Sequence, residues 1–177
     1  VPDHCRDDRG QDRCASATQA EMRTHYGVLP IESFAAEKAQ VRRIFYVDGY
    51  GYDVVAIEFV RAAGRDAIVK VYDHGDPTME INVTDDAWTD VIRRSAHFDR
   101  SFVPLIRRTK ARKGEKEITV CLHSWVYWIE GAGPGEKTRS AIEDACNDSP
   151  AEEFAWEAAK AAVAAIPYCS ALDPQFH

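Results

Sequence analysis

The sequence predicts one α+β domain, in which an antiparallel sheet of about five strands carries helices packed on one face. Turn residues separate short segments rich in β formers, and strands joined by such hairpin turns pair antiparallel. Segments with helical spacing stand before and after them. At 177 residues the chain is long enough to bury one core. We therefore expect one domain over residues 1–177, with residues 1–30 as a polar N-terminal extension that a disulfide would pin.

The first predicted elements are a short helix and a meander of four strands. Apolar residues at helical spacing indicate a helix over Ile31–Ala39. Turns follow at Asp48–Gly51, at Gly64 and at His74–Pro77, and β formers fill the segments between them. The predicted strands are Val41–Val47, Tyr52–Arg61, Ala67–Asp73 and Thr78–Val83. The last one is predicted to be half exposed, because apolar and polar residues alternate along it.

A core-facing helix is predicted next, because Thr84 and Asp85 offer N-caps and an apolar stripe follows them to about His97. The strongest strand comes later, over Ile118–Ile129, and we place it centrally in the sheet. A further helix is predicted over Lys137–Cys146.

The last predicted helix opens with the capping box Ser149–Glu152 and runs to Ile166, where Pro167 stops it. Its alanine-rich apolar face would approach the sheet closely. The uncharged run Ala161–Leu172 is far shorter than the roughly 20 residues of a membrane helix, so no transmembrane segment is expected.

Charge is distributed unevenly along the chain. The net charge of -7 and the pI near 5.4 argue against general nucleic-acid binding. Between Arg93 and Lys116, however, nine basic residues stand against two acidic ones. The part of this segment beyond the helix is predicted to be a long exposed loop. The residues predicted to bind an anionic ligand or an acidic protein partner are Arg107, Arg108, Lys110, Arg112 and Lys113. The alternative is a solvated loop whose charges pair with the acidic remainder.

The five cysteines include no C-x-x-C and no Cys/His spacing of the zinc type. We therefore predict structural disulfides and an extracytoplasmic location, periplasmic or secreted. Proximity favours Cys146 with Cys169 and Cys5 with Cys14, which leaves Cys121 over, although five cysteines allow fifteen ways of making two bridges. The alternative is a cytosolic protein with five buried thiols.

Two places offer catalytic candidates. Asp73, His74 and Asp76 would present two carboxylates and an imidazole at a strand end, but the same residues suit an ordinary hairpin turn. His123 stands in the strongest strand on the same face as Cys121, where a core histidine with one hydrogen bond is the simpler interpretation. No metal site and no cofactor are predicted.

A glycine-rich stretch, Gly131–Thr138, resembles a phosphate-binding loop in its position between a strand and a predicted helix. Such a loop needs glycine directly before its lysine, and here Glu136 brings a carboxylate to the place of the anion. An ordinary flexible connection is therefore favoured.

Together these features predict a small soluble extracytoplasmic binding or interaction protein, such as an inhibitor, an immunity-type protein or an envelope accessory factor. The alternative is a hydrolase of an anionic substrate that uses His123 or His74 in a pocket on the sheet.

Neutralising the basic loop tests its role directly. Replacing Arg107, Arg108, Arg112 and Lys113 together by glutamine should leave the melting temperature nearly unchanged, because exposed substitutions usually alter stability by about 0.5 kcal/mol or less. Binding of an anionic partner should weaken. A collapse of the melting temperature, measured by circular dichroism, would show that the loop supports the fold instead.

Overall fold

The computed structural model describes residues 20–49, 53–73, 79–101, 123–144 and 150–167. Within these ranges the chain forms four helices and a sheet of six strands. The elements in chain order are α1 (residues 20–25), α2 (Ile31–Ala36), β1 (Gln40–Gly49), β2 (Asp53–Arg61), β3 (Ile68–Tyr72), β4 (Met79–Asn82), α3 (Asp85–Ser101), β5 (His123–Ala132), β6 (Arg139–Asp144) and α4 (Pro150–Ala165).

The sheet has the strand order β4-β3-β2-β1-β5-β6, and every neighbouring pair is antiparallel. The first four strands form a meander that runs from the middle of the sheet to one edge. β5 then returns to the far side of β1 and continues into β6. The predicted α+β class is confirmed, as are the meander and the later strand inside the sheet.

One face of the sheet, here called the helical face, packs against α3 and α4. Its apolar side chains include Ile44, Ile57 and Ile129 from three adjacent strands, all fully buried. Helix α4 meets them with a stripe of buried alanines, which let its backbone lie close to the strands. At this short separation the hydroxyl of Tyr46 donates to the carbonyl of Ala155 at 2.6 Å. The predicted packing of helices on one face holds for these two long helices.

The opposite face, here called the N-terminal face, is covered by residues 20–39, which comprise α1, α2 and their connection. Gly27, at φ +62°, ends α1 in a Schellman motif, in which the amide of Val28 donates to the carbonyl of Arg23. Two apolar clusters result, one around Tyr26 and one around Phe34. The extension predicted over residues 1–30 thus contains a packed part from residue 20 onward, and residues 1–19 lie outside the described ranges.

The helix predicted over Lys137–Cys146 is wrong, because Arg139–Asp144 forms strand β6. A turn closed by the amide of Glu136 on the carbonyl of Gly133 reverses the chain after β5. Ala141 then lies opposite Ile129, and Ile142 opposite Trp128. Pairing with β5 satisfies the backbone groups of both strands and outweighs the local helix preference. This sixth strand also exceeds the predicted number of about five.

Helix α3 begins as predicted, with the hydroxyl of Thr84 accepting from the amide of Ala87 at 3.2 Å. It continues to Ser101 and so is longer than the helix predicted to end near His97. Among the helices that the structure describes, none has the length and apolar character that crossing a membrane requires.

Candidate functional site

The predicted catalytic candidates are only partly within the described chain. Asp73 directly follows β3 and is half buried, whereas His74 and Asp76 lie outside the described residues. His123 begins β5 opposite Gly49 of β1, and Cys121 lies outside the described residues. A hairpin-turn site or a histidine site therefore stays a prediction.

The predicted partner-binding residues and cysteines also lie beyond the described ranges. These are Arg107, Arg108, Lys110, Arg112 and Lys113, together with Cys5, Cys14, Cys146 and Cys169. Arg93 and Arg94 of the same basic segment lie in α3, and both bind Asp90. Hydrogen bonds from Arg94 and then Arg93 lower the pKa of Asp90. Arg94 also contacts Glu157 of α4 at 3.5 Å. The positive charges of Arg93 and Arg94 are therefore paired within the protein.

The glycine-rich stretch connects β5 to β6 as a hairpin, and its carboxylate binds the protein's own arginine. Glu136 accepts from the guanidinium of Arg42 at 3.2 Å and from the side-chain amide of Gln40 at 3.1 Å. Arg42 is almost fully buried, and its Nε donates to the hydroxyl of Ser95 in α3 at 3.0 Å. Glu136 thus fixes the hairpin on the sheet, and the surroundings are not those of a phosphate loop.

A row of polar residues crosses the N-terminal face from one edge of the sheet to the other. Its members lie directly opposite one another on neighbouring strands: Glu80, Lys70, Glu58, Arg43, Glu130 and Ser140, from β4 to β6. Arg43, Glu58 and Glu130 are at most 1% exposed. Lys70 and Glu80 are 28% and 53% exposed at their side chains. The row therefore runs from a buried ionic centre to an open edge.

At the centre of the row, one guanidinium holds two carboxylates on either side. Arg43 donates to Oε2 of Glu58 through Nε at 2.8 Å and to Oε2 of Glu130 at 2.9 Å. The remaining oxygens accept from other parts of the chain. Tyr72 donates to Oε1 of Glu58 at 3.2 Å, and Arg23 of α1 donates to Oε1 of Glu130 through Nε at 2.8 Å.

The surroundings of this centre suit a structural role rather than proton transfer. The rings of Phe34 and Phe45 lie 5.5 Å and 6.0 Å from the Arg43 guanidinium carbon, which adds cation–π attraction. Burial, and then the neighbouring Glu58, raise the pKa of Tyr72, so its phenol keeps the proton that it donates. All four carboxylate oxygens accept hydrogen bonds from arginine or tyrosine, so the centre joins strands and secures α1.

This centre is not among the sites predicted from the sequence, although the sequence carries a signal for it. Glu58 and Glu130 are each the one charged residue in a run of apolar ones, as in VVAIEFV and WVYWIEG. A lone charge in a buried strand needs a partner. The paired arginines at Arg42 and Arg43, in a strand otherwise rich in β formers, supply it.

The open end of the row is β4, where all four side chains are exposed. Met79 and Ile81 are 40% and 43% exposed and belong to the helical face, since they lie opposite Val71 and Val69. The prediction of a half-exposed strand is corrected here, because β4 forms an edge of the sheet and its side chains are exposed on both faces. Lys70 binds Glu80 at 3.2 Å on the other face.

Comparison with protein-family models, with curated proteins and with solved structures finds no match for this chain.

Removing Arg43 tests the buried centre. Arg43→Met should lower the free energy of unfolding by about 3–5 kcal/mol, because it leaves Glu58 buried without its arginine and Glu130 with Arg23 alone. Lys70→Met is the matched control, since it breaks a partly exposed ion pair worth about 0–1 kcal/mol. Urea unfolding measures both. Equal losses in the two variants would contradict the structural role of the centre.

Proposed function

We propose that the chain is an extracytoplasmic binding or interaction protein, and that its partner adds a strand to the outer edge of β4. The observation that carries this proposal is the exposure of β4. The two edges of the sheet differ, because every side chain of β4 is exposed whereas residues 139–142 of β6 are all half buried. An edge that presents apolar side chains and backbone groups is the surface that strand addition uses.

The outward backbone groups of β4 can be assigned from its pairing with β3. The amide of Val83, just beyond the strand, donates to the carbonyl of Ala67 toward β3 at 2.9 Å. Because these groups alternate in an antiparallel pair, Ile81 also directs its N–H and C=O toward β3. Glu80 and Asn82 therefore direct theirs outward, where no strand of the described chain pairs with them.

The edge also selects what can pair with it. A strand of four residues with a carboxylate on one face resists unselective pairing, as short and charged edges do. A fitting partner strand places apolar side chains beside Met79 and Ile81, and polar or basic ones beside Glu80. The polar row of the N-terminal face would then continue onto the partner.

Strand addition at β4 can be tested with a synthetic peptide. The probe is a labelled heptapeptide in which valine alternates with lysine or threonine, and its binding is followed by fluorescence anisotropy. Asn82→Pro should weaken binding at least about fivefold, since it removes one outward N–H worth about 1 kcal/mol. Pairing with β3 should survive, because proline is tolerated where the N–H faces away from the sheet.

The matched control is Asn82→Ala, which changes the same side chain but keeps the amide. Both variants should melt within a few degrees of the parent protein. Equal affinity of the two variants for the peptide would contradict strand addition at this edge.

The proposed compartment is supported by the five cysteines and their lack of metal-site spacing. Intact mass after alkylation, with and without prior reduction, counts the free thiols. One alkylated cysteine before reduction is expected, since two disulfides would occupy the other four. Alkylation of all five without reduction would contradict the extracytoplasmic proposal.

A further inference from the structure

We propose that the strand added to β4 is β4 of a second copy of this chain, paired antiparallel with Ile81 on the two-fold axis. This inference rests on the proposed function and names the partner. A two-fold axis normal to the sheet keeps the two faces continuous, so the apolar side chains of both copies meet on the helical face. The resulting sheet would have twelve strands.

The backbone of β4 fits this register. With Ile81 on the axis, Glu80 lies opposite Asn82 of the second copy. Both residues direct their N–H and C=O groups outward, as the pairing with β3 requires. Each of the two symmetric Glu80–Asn82 pairs therefore exchanges two hydrogen bonds, and Ile81 faces its symmetry mate as a non-hydrogen-bonded pair.

The side chains favour the same register over its neighbours. On the helical face, Ile81 meets its own copy and Met79 meets Val83, so apolar groups cover one another. On the N-terminal face, the Asn82 amide can donate to the Glu80 carboxylate, which Lys70 already neutralises from β3. Apolar and hydrogen-bonding cross-strand pairs of this kind stabilise antiparallel pairing.

Registers shifted by two residues fit less well. Centring the pair on Glu80 would bring two carboxylates directly opposite each other, which is destabilising. Centring it on Asn82 would require Thr84 to pair opposite Glu80. Thr84 caps α3, and its side chain and carbonyl both accept bonds from the first turn of that helix. The chain thus leaves the strand at Thr84, the residue that this register would require to continue the strand.

The contact is small, and the dimer should therefore be weak and concentration-dependent. Stable interfaces bury about 1,600 Å², far more than one pair of four-residue strands supplies. A net charge of -7 on each copy adds repulsion. At about 0.15 M salt the Debye length is about 8 Å, so distant charges are screened and the edge contacts decide the outcome.

Cross-linking through introduced cysteines tests the register. Opposite residues of a non-hydrogen-bonded pair have Cα atoms about 4.5 Å apart, within the range that a disulfide spans. Ile81→Cys should therefore form a covalent dimer under mild oxidation, with peptide mapping showing a bond between the two positions 81. Glu80→Cys is the matched control, because its two copies would lie about 7–8 Å apart on the diagonal. The unsubstituted chain measures linkage through the native cysteines.

The possible outcomes distinguish a wrong partner from a wrong binding site. Preferential linkage at position 80, or no linkage at either position together with a monomer in sedimentation equilibrium at about 1 mM, would overturn this inference. If the alternating peptide still binds and Asn82→Pro weakens that binding while Asn82→Ala does not, strand addition stands and the partner is another protein. If the peptide fails as well, the proposed function fails with it. With the expected dimer, Asn82→Pro should remove self-association and Asn82→Ala should keep it.

Discussion

The pairing of Arg43 with Glu58 and Glu130 is the constraint on which the sheet depends. The three residues lie directly opposite one another on β2, β1 and β5, and all three are buried. A slip of one residue in either pairing would turn a glutamate toward the apolar helical face, without its cation. An ion triad of this kind adds little stability over apolar packing, but it makes the wrong registers costly. We infer that its main effect is to specify how the three central strands align.

The same triad links the N-terminal segment to the sheet. Glu130 has one oxygen bound to Arg43 and the other to Arg23, so α1 docks against a carboxylate that the strands have already positioned. The Arg43 guanidinium in turn lies close to the rings of Phe34 and Phe45, from the two apolar clusters beneath residues 20–39. Residues 20–39 therefore bury the polar centre and also supply one of its arginines, Arg23. The docking of this segment and the burial of the centre depend on each other.

Local sequence was enough to predict most of the fold, and it failed where distant pairing decides. The meander and the helices α3 and α4 follow from turn residues, β formers and apolar stripes. β6 was not predicted because it forms a strand by pairing with β5. The local helix preference of its residues carries no information about that pairing. Glu130 and Arg43 stand 87 residues apart, so a lone charge signals a partner without identifying it. The exposure of β4 depends on how far the covering segments reach across the sheet, which no short pattern encodes.

The polar row connects the interior of the sheet to its open edge by one rule. Residues directly opposite on the N-terminal face alternate in charge, from Glu80 through Lys70 and Glu58 to Arg43. A strand added at β4 would be the next member, and a second carboxylate opposite Glu80 would break the alternation. An uncharged donor such as Asn82 of a second copy, or a basic residue of another protein, would extend it. The physical rule that aligns the buried strands thus also limits what the exposed edge can accept.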